Sequence, residues 1–384
     1  MKPPIEKQKT LHSSGNLTIG LDLGDKKSHY CVLDKDGMVM EESSIPTDPA
    51  SMEKHFRKYP SSLVALEVST HSRWVSQLLQ RCGHEALVAN PNKVKLISKN
   101  NRKNDRTDAR TLARLARADR ELLHPIQHRS EEAQAVLALL RARETLVAAR
   151  TQMINCVRGL VKPTGHRLPH CTPPAFAKRM APLIPHALHG ATMRVLDQIK
   201  MLTETIREYD KSIEALAREQ HPESRLLTQV TGVGSLTALA FMMTLGDKHR
   251  FARSRQVGCY IGLKPKQRQS GDKDPQLGIG KDGDNYLRKL LVQCSHYILN
   301  RAPDSDLKRW GLALRARGGK NGRKRSVIAV SRKLAVLLHR LWVTGEVYEP
   351  LRHKPTHPTT ATAGEKTLAA KNIQAPPTPL AATA

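Results

Sequence analysis

Apolar and polar positions alternate through the first quarter of the chain in short runs bounded by turn residues. LTIGLDL (17–23) predicts a strand, and SHYCVLD (28–34) a second. The turn Lys35-Asp36-Gly37 leads into a third, MVMEESS, as in a tight hairpin. A helix is expected over 49–58. SLVALEV (62–68) is nearly continuous in apolar residues, the mark of a strand buried on both faces. A helix over about 71–82 and a short strand, EALVAN (85–90), come next, and Pro91 opens another helix.

The pattern then changes period. SEEAQAVLALLRARETLVAARTQMINCVRGLV (130–161) starts with a Ser cap and an acidic first turn, and its apolar residues recur at three- and four-residue steps. A Pro-rich interruption covers 163–185, and a second long helix runs over about 189–219. Two such helices with a break predict a coiled-coil-like arm suited to dimerisation, or a plain helical hairpin within one chain. From about 224, two helical patterns flank Thr231-Gly232-Val233-Gly234, a helix-hairpin-helix-like element whose second helix could present its first N–H groups to a phosphate. The basic helical stretch KNGRKRSVIAVSRKLAVLLHRLW closes the folded part, and Pro, Thr and Ala dominate from 351. Three antiparallel strands followed by alternating helices and strands give the element order of an RNase-H-like domain. The expected fold is α/β plus α.

Charge narrows the partners. The 384 residues hold 63 Lys and Arg against 35 Asp and Glu, a net charge of +28. Such a chain calls for a polyanion, most simply nucleic acid. Aromatic residues are only 4%, so contacts to the sugar-phosphate backbone are expected rather than base stacking. No apolar run approaches the ~20 residues of a membrane span, which argues against a membrane protein. The six cysteines are scattered without a CxxC pair, as in a reducing cytoplasm, and His166, His170 and Cys171 lack a second ligand pair for zinc.

In so basic a chain the carboxylates stand out. Asp22 ends the first strand and Glu67 the central apolar one. Asp105 and Asp108 lie three apart, on one helical face, inside NDRTDAR (104–110). Acidic residues near a helix start suit its dipole and pair with arginines. With strand one beside strand four, however, all four could converge and hold two Mg²⁺ ions, an arrangement used in phosphoryl transfer. Arg106, Arg110, Arg114 and Arg117 recur at three- and four-residue steps on the same helix, either as a solvated face or as phosphate contacts.

The order IGLDLGDKKSHYCV, ALEVSTH and NDRTDARTLARL resembles the DEDD domain of the insertion sequence 110/116/902 family of transposases. QVTGVGSLTALAFMMTLGD, FARSRQVGCYIGLKPKQRQSGDK and GDNYLRKLLVQ resemble that family's C-terminal transposase domain. The resemblance spans about 17–345. It implies a RuvC-like domain over 17–125, a helical coiled-coil connector over 126–222 and a C-terminal domain over 223–345, with disordered ends at 1–16 and 346–384. It also implies a serine nucleophile, which by position is Ser270, and a recombinase guided by a structured RNA from its own element. Lys264, Lys266 and Arg268 would draw a phosphate toward that serine. Where the family carries Thr-Gly after the glutamate, this chain has Val68-Ser69-Thr70-His71, and Asp272, Asp274 and Gly280 interrupt a stretch that is usually basic. The expectation is a prokaryotic, nucleoid-associated DNA recombinase, cytoplasmic and homo-oligomeric as a dimer or tetramer. A water-using junction nuclease and a non-catalytic nucleic-acid-binding protein are the rival readings.

Overall fold

A computed structural model of the chain describes residues 17–90, 105–269, 275 and 277–352. Five strands form one sheet: β1 (Thr18–Asp22), β2 (Lys27–Leu33), β3 (Val39–Pro46), β4 (Leu63–Glu67) and β5 (Glu85–Ala89). Their order is β3-β2-β1-β4-β5. β1–β2 and β2–β3 pair antiparallel, while β1–β4 and β4–β5 pair parallel. This mixed sheet is compatible with the RNase-H-like domain expected from the element order. The turn before β3 is held by Asp34, whose Oδ1 accepts from the N–H groups of Asp36 and Met38, with Gly37 at φ +82°.

The sheet is covered on both faces. Helices α1 (Pro49–Phe56) and α2 (Ser72–Arg81) lie on the face that carries Ile19, Leu21, Val64 and Leu66, all fully buried. The opposite face meets α3 (Asp105–Ala118). Ala109 and Ala113 pack on Cys31 and Leu33, and Leu112 and Ala116 on Ala65, Leu87 and Ala89. Ala109, Ala113 and Ala116 recur at three- and four-residue steps, so one small-residue stripe of α3 sits directly on the pleat. Residues 91–104, where a helix was expected from Pro91, lie outside the described residues.

Two 31-residue helices come next, α4 (Glu131–Val161) and, after the short α5 (Phe176–Met180), α6 (His189–Glu219). They run antiparallel in one chain: Arg143 meets Asp210 at 2.8 Å, Arg150 donates to Thr203 at 3.3 Å, and Val157 and Val161 share a cluster with Leu196 and Ile199. The hairpin's far end is filled by Phe176, Met180 and Ile184 from the Pro-rich interruption. Its near end is part of a different core, in which Val136, Leu137, Leu140 and Ile213 pack among the C-terminal helices.

Those helices are α7 (Ser224–Thr228), α8 (Ser235–Leu245), α9 (Arg255–Tyr260), α10 (Asn285–Asn300), α11 (Asp306–Arg317) and α12 (Gly322–Thr344). α8 is apolar all round and buried over most of its length, hence central. The chain does not leave this core at 345. Tyr348 N–H donates to Gln229 Oε1 and the Pro350 carbonyl accepts from Asp306 N–H, each at 2.8 Å, so the segment just after α12 folds back rather than trailing away. Tyr348, in the stretch expected as tail, packs apolar surface against this core. The residues from 353 onward, and 1–16, lie outside the described residues. Among the described residues no helix is long and apolar enough to cross a membrane.

Candidate active site

Parallel pairing of β1 with β4 matches Leu21 to Leu66. One step further along stand Asp22 and Glu67, which end their strands at the same end of the sheet centre. Alternation puts Asp22 on the face of Gly20, and Glu67 on the face of Ala65. That face is the one α3 covers. The helix's last turn lies at the start of β1: Arg117 Nη2 donates to the Lys35 carbonyl (2.9 Å), just past Leu33, the partner of Thr18. Its first turn therefore lies at the other end of β1, toward Asp22. Asp108 is in this first turn, only 9% exposed, next to Ala109, which rests on Gly20.

Gly20 makes the approach possible. A Cβ there would stand 1.9 Å from the Ala109 carbonyl oxygen and 2.5 Å from the Ala113 nitrogen. Backbone thus meets backbone, and the helix comes down onto β1 as closely as the chain allows. Asp105 opens α3; its side chain lies outside the described residues. As they stand, and among the described residues, no three or more His, Cys, Asp or Glu side chains are grouped closely enough to hold a metal ion. Asp22, Glu67 and Asp108 are nonetheless hard oxygen donors drawn to one end of one face, a set whose chemistry suits Mg²⁺.

The arginine stripe of α3 divides. Arg110 gives two hydrogen bonds of 2.5 Å to the Glu42 carboxylate, bracing α3 to β3. The Arg110 hydrogen bonds hold the Glu42 carboxyl below its ordinary range. Arg117 is bound to the Lys35 carbonyl and lies against Gly37. Arg106 and Arg114 are exposed. The four thus do not form one uniform phosphate-facing row, because the same helical face that meets the sheet's edge captures two of them.

In the C-terminal part, Lys264, Lys266 and Arg268 are exposed. Lys266 N–H donates to the Gly278 carbonyl and Gly280 N–H to the Lys264 carbonyl, both at 2.9 Å, so the two arms of this loop pair across the Pro265–Ile279 bridge. Ser270 lies outside the described residues. Both ends of the loop are tied by a residue that sequence reasoning missed. Arg288, 8% exposed, donates to the carbonyls of Ile261, Asp282 and Gly283. An arginine in the first turn of a helix, where the dipole favours acids, was the available signal. The Thr231–Gly234 turn has Gly232 at φ +97°, where a side chain would meet Tyr297, and α8 begins without a side-chain cap. Arg143, Lys289 and Gln293 line the groove beside it.

Known proteins supply an independent comparison. A family model described as transposase matches residues 19–165, and one described as transposase IS116/IS110/IS902 family matches 224–309. The transposase for insertion sequence element IS1111A of Coxiella burnetii is 29% identical over 341 residues, covering 86% of this chain and 90% of that protein. The transposase for insertion sequence element IS1328 of Yersinia enterocolitica is 29% identical over 289 residues, 74% of this chain and 84% of that one. A probable family 20 transposase of Pseudomonas aeruginosa is 30% identical over 288 residues, 73% and 83%. The first model ends just past α4 and the second begins at α7, so the matches fall on the sheet-bearing and the all-helical parts in the same order. The chain belongs to the IS116/IS110/IS902 family of transposases, enzymes of DNA transposition.

Proposed function

We propose that this transposase exchanges DNA strands through a serine nucleophile, Ser270, assisted by a divalent cation, Mg²⁺, held by Asp22, Glu67, Asp105 and Asp108. The observation that supports the reading is the β1–β4 register, whose last pair, Leu21 with Leu66, is followed on the two strands by Asp22 and Glu67, while Asp108 lies in the first turn of the helix that covers this face. Burying acidic side chains at such a place is costly unless cations or hydrogen bonds compensate. When bound, the cation neutralises charge on the phosphate and on the departing oxygen.

The protein's own groups do the rest. Lys264, Lys266 and Arg268 draw the phosphodiester to the loop that carries Ser270. The serine Oγ loses its proton to a nearby base and forms a bond to phosphorus, while the bond from phosphorus to one sugar oxygen breaks and that oxygen leaves with the electron pair. The resulting phosphoserine link keeps the bond energy for rejoining to a new end. Arg288 holds the backbone on both sides of the loop through the carbonyls of Ile261, Asp282 and Gly283. A structured guide RNA selects the ends, and a second copy of the chain brings its own loop to the opposite strand; both parts of the reading rest on the family resemblance.

Denaturing electrophoresis of labelled DNA after incubation with protein, guide RNA and Mg²⁺ tests this. Wild type gives a slower, protease-sensitive band; Ser270→Ala gives none, and Glu67→Gln or Asp108→Asn reduces it to background while nucleic-acid binding survives. An adduct persisting in Ser270→Ala assigns the nucleophile elsewhere. Cut DNA without any adduct favours the water-using nuclease.

A further inference from the structure

The turn between α11 and α12 carries charge that nothing in the carboxylate site or the Ser270 loop uses. From 307 to 345 the chain has no Asp or Glu, and Arg315, Arg317, Lys320, Arg323, Lys324 and Arg325 fall within one short part of it. The fold gathers these six. A Cβ on Gly318 would stand 2.5 Å from the Gly322 Cα, and one on Gly322 would stand 2.4 Å from the Arg315 carbonyl oxygen. The end of α11 and the start of α12 are therefore in backbone contact, and cations from both helices crowd one corner.

Two observations show that this corner is electrostatically unfinished. α12 has Asn321 at its N-cap position with no side-chain cap hydrogen bond and no acid in its first turn, which instead carries Arg323, Lys324 and Arg325. Cations at a helix N-terminus oppose its dipole, and the first N–H groups of a helix need acceptors. Separately, the Arg315 Nε and Nη2 are shut off from solvent and, among the described residues, have no hydrogen-bond partner. Those two nitrogens are out of a ligand's reach, so Arg315 adds uncompensated charge to the corner while Arg317, Lys320, Arg323, Lys324 and Arg325, all exposed, are the side chains that can meet an anion.

We propose that the α11–α12 turn is a docking site for the phosphate backbone of duplex DNA. Nucleic-acid phosphate is the anion because six cations need several charges in a row. Duplex DNA is the form because 311–341 contains no Phe, Tyr or Trp on which unpaired bases could stack, and because the commitment to DNA rests on membership of the transposase family. The site lies in a different part of the chain from the carboxylates and from the loop of Ser270, so it would hold DNA flanking the exchanged bond rather than the bond itself.

The test is binding by the full chain, without metal, to a labelled DNA duplex of about 30 base pairs and to an RNA hairpin of equal phosphate count, across a salt series. Working without metal separates this inference from the catalytic reading, since loss of the chemistry leaves these titrations untouched. The Arg323→Ala, Lys324→Ala, Arg325→Ala triple variant alters three exposed side chains and should fold normally, which its melting curve checks. Its DNA slope of log affinity against log salt should flatten by about two to three units. A triple variant with the wild-type DNA slope overturns the proposal, and so does a loss confined to the RNA hairpin.

Discussion

Gly20→Ala is the sharpest probe of how the carboxylate end of the sheet is built. In an ordinary strand the change would help: alanine restricts the unfolded chain, which is worth about 0.4–1 kcal/mol where the conformation is allowed. Here the new methyl lands 1.9 Å from the Ala109 carbonyl oxygen and 2.5 Å from the Ala113 nitrogen. Both are backbone atoms, so no side-chain rotation relieves the clash. Reaching a normal separation requires α3 to back away from β1 by about 1.5 Å. Overpacking of this kind costs about 1–3 kcal/mol, so the clash outweighs the entropic gain and net destabilisation of about 1–2 kcal/mol is expected. The displaced helix carries Asp108 with it, and misplacement of about 1 Å in a catalytic constellation costs about 100-fold in rate. Urea denaturation should show the lower midpoint, and the adduct assay should show the larger loss, with DNA affinity unchanged. A variant with wild-type midpoint and wild-type adduct yield would refute the claim that α3 is seated on Gly20.

Glu42 is held below its ordinary carboxyl range by Arg110. A depressed folded value means that its stabilisation is present above the unfolded value, near 4.5, and fades as pH falls through the lower folded one. Glu42→Gln should therefore lower stability at neutral pH and flatten the acid limb of a urea-midpoint series; Arg110 is 43% exposed, so solvent screening limits the effect to at most about 1 kcal/mol. Cutting the chain after Gly345 removes Tyr348 and the Pro350 carbonyl from the C-terminal core and should lower stability by about 2 kcal/mol. Cutting after Arg352 keeps both contacts and should leave the melting temperature where it was.

The strands were legible because each shows its own short-range pattern: LTIGLDL and SLVALEV are apolar runs with turn residues at their ends. That β1 would lie beside β4 was legible only through the element order, and the sheet order bears it out. The reason for Gly20 was not, since its partner Ala109 is far along the chain and a strand glycine alone reads equally as a bulge. The same limit hid the Arg110–Glu42 pair and the carbonyl-binding role of Arg288, which exist only once α3 and α10 are docked. For α4 and α6, apolar spacing suits an arm for dimerisation and a hairpin equally; the antiparallel pairing of Arg143 with Asp210 exists within one chain. The fold-back of Tyr348 was masked by the composition of the residues after it, in which Pro, Thr and Ala hide a single aromatic anchor.

The rooting of α4 in the C-terminal core sets a schedule for biosynthesis. The sheet and its three helices are complete once Ile126 pairs with Val88, so this part can fold while the ribosome is still making the hairpin. Val136, Leu137 and Leu140, made next, share a core with Ile213 of α6 and with α8, and the Leu140 carbonyl accepts from the Tyr286 hydroxyl of α10, which ends at Asn300. Until those helices emerge, these apolar side chains wait exposed on a nascent helix, a state prone to misassembly. A transposase made in few copies would tolerate that delay. One made in excess would meet other half-finished chains first, so the architecture itself penalises overproduction.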